Sequence, residues 1–359
     1  MKKLFILLVI FSAIPFYSFC QLLKNKLQCG TPASLVPVYF TEEQKQEAQR
    51  TIDYQYVVNI FVHILRDNNG TNAATTEAQM YIDLQRMANF YKPHNICFIL
   101  SGVNYVNNTT LNNNMDASIP ALVTALAANN ISGNVIDIYV HNGFVNFGGY
   151  TYNIPDKFFS VLQSANFNFE HEMGHALGLY HTFDSSFGIE CPDGSNCSAT
   201  GDLVCDTQAD YAGSQTMVTP PNACVYTGGQ TIVCNTATRT YTPPINNIMS
   251  YWFPCYSQFT AQQGLRMRLT LQNTPVVNNC ITTFDLQLVT TFTDIVVSGT
   301  AYTTAKNEIK MGSLNTGKVF IVGGGEKRFT AGTRIKLSAG TVVTPDVAST
   351  RFLINGLCD

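Results

Sequence analysis

Three of the chain's six histidines fall within eleven residues, His171-Glu172-Met173-Gly174-His175-Ala176-Leu177-Gly178-Leu179-Tyr180-His181. Phe169 to Leu177 can be helical, and histidines four apart on a helix lie only about 40° apart around its axis, so His171 and His175 face one point. That spacing suits two ligands of a tetrahedral zinc ion. Glu172, next to the first ligand, can reach a water at the metal without itself ligating. His181 comes ten residues after His171, roughly 15 Å further along a straight helix and too far to share one ion. The chain must therefore turn back, and Gly178 supplies the turn because a residue without a Cβ takes the positive φ that ends a helix. The competing reading, a buried amphipathic helix with incidental histidines, explains neither Gly178 nor His181.

Taken together the pattern is HExxHxxGxxH, which resembles the zinc signature of the metzincins. Further blocks narrow the resemblance: Gly201-Asp202-Leu203-Val204-Cys205-Asp206-Thr207, Asn247-Ile248-Met249-Ser250-Tyr251, Cys255, and Phe259-Thr260 with Gln263, Arg266 and Met267. In order and spacing they are similar to the pappalysins, in the branch of small bacterial secreted members, over about residues 50 to 280. The resemblance implies an α+β fold. A metzincin-like catalytic domain has a twisted, mostly parallel sheet with an antiparallel edge strand, a backing helix, a zinc helix and a disulfide-bonded irregular C-terminal subdomain. Met249 would then sit in a Met-turn, its thioether a polarisable floor under the zinc ligands. Tyr251 would stand where a tyrosine can stabilise the oxyanion.

Composition sets the compartment. Charged residues make up 13% and net charge is −3, so there is no clustered basic surface of the kind nucleic acid requires. Met1-Lys2-Lys3 followed by Leu4 to Phe11 reads as the basic and apolar parts of a cleaved secretory signal, residues 1–20, too short to span a bilayer. An acylated Cys20 is the competing lipoprotein reading. Eleven cysteines in an exported chain imply disulfides, and seven of them, from Cys191 to Cys280, crowd the loop-rich stretch after the zinc motif. The family resemblance implies Cys224 with Cys255, and Cys234 with Cys191 or Cys197. A structural zinc site is the alternative, disfavoured by the lack of paired CxxC and of spare histidines.

Along the chain, residues 21–50 read as a propeptide. Cys29-Gly30-Thr31 resembles a cysteine switch, with Cys29 a zinc ligand in a latent form and activation by cleavage near Arg50; an ordinary disulfide cysteine is the alternative. If Cys29 is free, parity leaves another thiol unpaired. Tyr56 to Leu65 is a strand in which His63 reads as a satisfied sheet histidine. Residues 75–91 form a helix with Met80, Ile82, Leu84, Met87, Ala88 and Tyr91 at near-helical spacing, stopped by Pro93. Strands at Asn95–Leu100 and Val135–Val140 flank a short helix near Pro120 to Ala128, and this alternation gives an α/β layer with a largely parallel sheet. Gly148 to Phe159 corresponds, by the resemblance, to an edge strand to which an extended peptide can add. Asp184, Asp193, Asp202, Asp206 and Asp210 are either structural calcium ligands, as the resemblance implies for Asp202 and Asp206, or solvated loop acids. A threonine-capped helix spans residues 260 to 272. The catalytic domain is thus placed at 51–283, and the Thr-, Val- and Gly-rich residues 284–359 read as a small β-rich module of short strands and tight turns, with Ala-Gly-Thr recurring at 331 and 339.

What the resemblance implies is a secreted zinc endopeptidase made as a latent zymogen, in which a zinc-bound water activated by Glu172 attacks a peptide bond of protein or peptide substrates. Trp252-Phe253-Pro254 after the Met-turn, in place of acidic residues, points to an apolar specificity pocket. The C-terminal module is a candidate cell-surface or glycan contact. Two alternatives stay open: a non-catalytic binding or adhesion protein on the same fold, and a zinc amidase acting on cell-wall peptide.

Overall fold

A computed structural model of the chain describes residues 29–32, 36–50, 55–131, 134–145, 147–163, 168–214, 224–252 and 255–282, with the strand segments between 285 and 354. The signal-like residues 1–20, Phe253-Pro254 and the glycines of the recurring Ala-Gly-Thr lie outside the described residues. In chain order the helices are α1 (Glu42–Arg50), α2 (Glu77–Tyr91), α3 (Thr109–Asn113), α4 (Pro120–Ala127), α5 (Asn168–Ala176), α6 (Ala261–Asn273) and α7 (Pro275–Asn278). The first five strands, β1 (Tyr56–Arg66), β2 (Ile96–Asn107), β3 (Ile136–His141), β4 (Gly149–Thr151) and β5 (Phe158–Leu162), form one sheet in the order β2-β1-β3-β5-β4. Every pairing in it is parallel except β4 with β5, so the sheet is mostly parallel with one antiparallel edge.

A parallel sheet is covered on both faces, and the sequence of β1 shows it. All but its last residue are buried. Val58, Ile60, Val62 and Ile64 point to one face, against Met80, Leu84, Met87 and Tyr91 of α2 and Phe169, Met173 and Ala176 of α5. Leu65 points to the other, with Tyr139, Phe158 and Leu162 from the sheet and Val123 and Leu126 from α4. The helix α2 begins where Thr76 accepts a hydrogen bond from the amide of Gln79, and ends in a tight turn carrying Pro93. Ile82 departs from the expected core pattern: it is 60% exposed, because two residues from Met80 is about 200° around a helix. His63 is buried between Asn104 and Asp137, bonded to both. Strand β2 runs seven residues beyond the expected Leu100, since its second half still pairs with β1.

Between α5 and α6 the regular structure among the described residues is one hairpin, β6 (Thr231–Cys234) with β7 (Ala237–Thr240). Disulfides join Cys191 to Cys234, Cys197 to Cys205 and Cys224 to Cys255. The short Cys197–Cys205 link was not among the expected pairs. Cys97 is also disulfide-bonded, while Cys29 and Cys280 are free and buried.

From residue 285 the strands are β8 (Asp285–Leu288), β9 (Ile295–Ser298), β10 (Ala301–Ala305), β11 (Glu308–Met311), β12 (Val319–Gly323), β13 (Lys327–Ala331), β14 (Arg334–Leu337), β15 (Val342–Pro345) and β16 (Thr350–Ile354). They pair only in parallel, in sheets β14-β11-β8, β15-β12-β9 and β10-β13-β16. Each sheet takes every third strand, so the chain winds as a coil of three turns rather than as hairpins. Strands β10 and β13 lie against β2.

Candidate metal centre

Helix α5 carries the site. It ends because Gly178 takes φ of +92°, which lets its amide and that of Leu179 bond back to His175 O and Gly174 O at 2.9 Å each. No side chain fits at Gly178, since a Cβ there would lie 2.4 Å from Thr270 Oγ1 of α6. Beyond this bend the chain brings His181 round, and the Nε2 atoms of His171, His175 and His181 lie 3.1 to 3.2 Å from one another. Cys29 Sγ joins them, with all four ligand atoms within 4.8 Å.

The protons of these rings decide what the cluster can hold. His171 Nδ1 donates to Ile248 O at 2.7 Å and His175 Nδ1 donates to Leu179 O at 2.8 Å. Their Nε2 atoms therefore carry bare lone pairs. Burial pushes the His171 imidazolium down to about 4, and holds His175 and His181 well below the ordinary histidine value with the help of their neighbours. Lone pairs this close repel unless a cation lies between them. A tetrahedral zinc ion with nitrogen at about 2.0–2.1 Å spaces its ligands roughly 3.3 Å apart, so the donor set fits zinc in spacing and charge, and His171 and His175 fit it in tautomer.

The loop at Met249 closes the floor. Ile248 O fixes the His171 ring, and Thr182, next to His181, donates its amide to Met249 O at 3.1 Å. Met249 is fully buried. Its sulfur packs on Gly174, where a Cβ would come within 2.6 Å of it, so the glycine inside the zinc helix is the space the methionine needs. Asn247 is held by paired side-chain amide bonds to Gln263 at 2.9 and 3.1 Å, and Gln263 with Thr260 closes a capping box at the start of α6. Arg266 on α6 donates to Gly178 O at 2.8 Å, tying the bend to the same helix.

Glu172 lies beside the imidazoles and is buried. Burial raises its carboxyl to about 7, against lowering bonds from Cys29, Thr151 and Thr31. Thr151 on β4 donates its hydroxyl to Glu172 Oε2 at 2.8 Å. The edge strand reaches this close because Gly149 has no side chain: a Cβ there would meet Glu172 Oε1 at 2.4 Å. Tyr251 sits 5.1 Å, centroid to centroid, from His181 and donates its hydroxyl to the carbonyl of Cys29 at 2.8 Å. Phe183 stacks on His181 at 4.8 Å and 10°. Segment 29–50 continues over the same body: Arg266 donates to Val38 O at 3.1 Å, and Tyr180 accepts from the amide of Val38 at 3.2 Å.

The loop acids divide. Asp193 pairs with Arg239, Asp184 caps the amide of Ser186, and Asp206 accepts from Thr260 Oγ1 and Gln262 N at the start of α6. Asp206 thus holds the start of α6 while its charge also acts on Asp202. Asp202, Asp210 and Glu190 are buried, and an oxygen of Asp202 and one of Glu190 have no hydrogen-bond partner. Burial, with Asp202 and Asp210 nearby, raises Glu190 to about 8; burial raises Asp202 to about 7. Sequence reading missed Glu190, which stands outside the recognised blocks, and Thr31, Thr151 and Gly174. Trp252, expected near a specificity pocket, is instead a core residue packed edge-on against Tyr226.

Two imidazoles on α5, a third returned by the bend at Gly178, a neighbouring carboxylate and a methionine floor make a candidate mononuclear metal centre on an α/β sheet. Residues 139–272 match the model of the M43 (pappalysin) peptidase family, described as pregnancy-associated plasma protein-A. The chain is 28% identical over 276 residues to an extracellular metalloprotease of Neurospora crassa, covering 67% of this chain and 86% of the relative. It is 27% identical to one of Sordaria macrospora (64% and 78%) and 24% identical to one of Colletotrichum graminicola (67% and 88%).

Proposed function

We propose that the chain is a secreted zinc endopeptidase of metzincin type, made as a latent precursor. The observation that carries it is the convergence of three imidazole Nε2 atoms with Glu172 beside them and the outer edge of β4, covered here by residues 29–31, alongside. His171, His175 and His181 would hold zinc, which when bound supplies Lewis acidity to a water molecule and to the scissile carbonyl. Strand β4 offers backbone groups with which an extended substrate pairs. Glu172 takes the proton of the attacking water and passes it to the leaving amine. Tyr251, once free of the Cys29 carbonyl, turns its hydroxyl to the oxyanion.

In the same reading, residues 1–20 are the export signal and 21–50 the propeptide, with Cys29 as the inhibitory ligand. Residues 51–283 are the catalytic domain, and 284–359 a β-rich module that contacts a cell surface or glycan. Calcium is assigned to the buried carboxylates of Glu190, Asp202 and Asp210 rather than to Asp206, because two of these have oxygens without partners. The extracellular relatives support export. Among the described residues no helix is long and apolar enough to cross a membrane.

The deciding measurement is casein turnover by the processed protein. Glu172→Ala should lower it by roughly a hundredfold or more while zinc stays bound, and chelation should abolish it. No turnover by the wild type would favour a binding protein, and turnover of cell-wall peptide with casein spared would favour an amidase.

A further inference from the structure

The N-terminal segment meets the site at two points, and the thiol accounts for only one. Cys29 brings its sulfur to the imidazoles. Two residues on, an extended chain returns to the same side, and Thr31, itself buried, sets its hydroxyl on the other half of the site. That hydroxyl donates its one proton to Glu172 Oε2 at 3.1 Å and accepts from the Thr151 amide at 2.8 Å. Cys29 also donates its S–H to it at 2.9 Å, a bond that a metal-bound thiolate gives up without disturbing the other two. Glu172 Oε2 therefore receives two hydroxyls, one from Thr151 and one from Thr31.

We propose that Thr31 is a second inhibitory ligand of the site: its hydroxyl fills a cradle formed by the Glu172 carboxylate and the Thr151 amide, and so occupies the proton acceptor while Cys29 occupies the metal position. This rests on reading the segment as an inhibitory propeptide. Glu172 Oε2, accepting two hydroxyl protons, has no free lone pair to aim at water, and Oε1 lies against Gly149 of β4, where a Cβ would be 2.4 Å from it. The Thr151 amide, on an edge strand, is the donor a bound peptide would otherwise take. Between the two ligands Gly30 donates to Gly149 O at 2.9 Å, and a Cβ there would lie 2.6 Å from the Phe147 ring. Each position of Cys-Gly-Thr thus has a separate task, and the cradle takes peptides that carry a thiol and, two residues later, a hydroxyl.

The test uses the full-length precursor with Thr31→Val, which keeps the shape and removes the hydroxyl, Thr31→Ser, which restores it, and Cys29→Ala. Two readouts are taken: cleavage of a quenched fluorescent peptide before processing, with the precursor shown intact on a gel, and amide exchange at Thr151 in the chelated precursor. Thr31→Val should leak roughly tenfold or more above the wild-type precursor and exchange Thr151 faster by a similar factor. Thr31→Ser should match the wild type in both. A Thr31→Val precursor unchanged in either readout, beside an active Cys29→Ala precursor, overturns the role of Thr31 and leaves the propeptide reading standing. A Cys29→Ala precursor as silent as the wild type overturns both. The leak is a gain of activity, so misfolding does not mimic it.

Discussion

Gly174 and Met249 show how single atoms set the floor of the site. The glycine lies inside a helix, where it costs about 1 kcal/mol relative to alanine, and the methionine sulfur uses the space it leaves. Gly174→Ala gains helix propensity but forces its methyl against a buried thioether. It should destabilise the protein by about 1–3 kcal/mol in urea unfolding and weaken zinc retention on dialysis, because the turn that displaces Met249 also carries Ile248 O, the acceptor for His171. A Gly174→Ala variant with wild-type unfolding midpoint and zinc content would show that the contact is loose.

On the scale of elements, the stretch from α5 to α6 has few backbone ladders and is held by crosslinks and polar anchors. Two of its disulfides close loops of 43 and 31 residues, each limiting the unfolded chain by roughly 3–4 kcal/mol. The buried acids between them act the other way. Glu190 and Asp202 have carboxyls raised to about 8 and 7, above their unfolded values, so the folded state binds more protons than the unfolded one as pH rises from about 4.5. Their contribution is full at low pH and is lost as pH climbs through 7 to 8. A bound calcium ion would replace those protons. Under a calcium-selective chelator the melting temperature should fall between pH 5.5 and 8, and added calcium should raise it more at pH 8. A calcium effect independent of pH, or none, would return these residues to the role of plain buried acids.

For the whole molecule, the sheet sets the acid limit. His141 on β3 is buried between Leu111 O, at 2.7 Å, and Ser160 Oγ, at 3.0 Å, and burial pushes it down to about 4. The unfolded chain takes up that proton near pH 6.5. Stability from His141 is therefore complete above about 6.5 and declines as pH falls toward 4, by about 3 kcal/mol in all. His94, half-buried beside Arg268 and also lowered to about 4 by that burial and the neighbouring charge, adds in the same direction. Urea midpoints at pH 7 and 4.5 check this: His141→Gln should lose less on acidification than the wild type. Equal losses would place the acid sensitivity elsewhere.

The histidine-bearing helix, its glycine stop and the return of the third histidine were legible in the sequence, because donor spacing and a positive φ are local demands that one short stretch must meet by itself. The mostly parallel sheet was legible for a similar reason, through the alternation of buried strands and helices. Other features depended on which distant residues meet. Ile82 was misplaced because it lies two residues from both Met80 and Leu84, about 200° round the helix from each. The bonds of Asp206 to the start of α6 depend on where that helix begins, and Glu190 joined Asp202 only through folding of an irregular loop. Thr31 and Thr151 are 120 residues apart, and neither carries a local signal for the other. Residue types fixed what chemistry the chain could hold, and only tertiary packing selected which hydroxyls, carboxylates and sulfur atoms share one buried space.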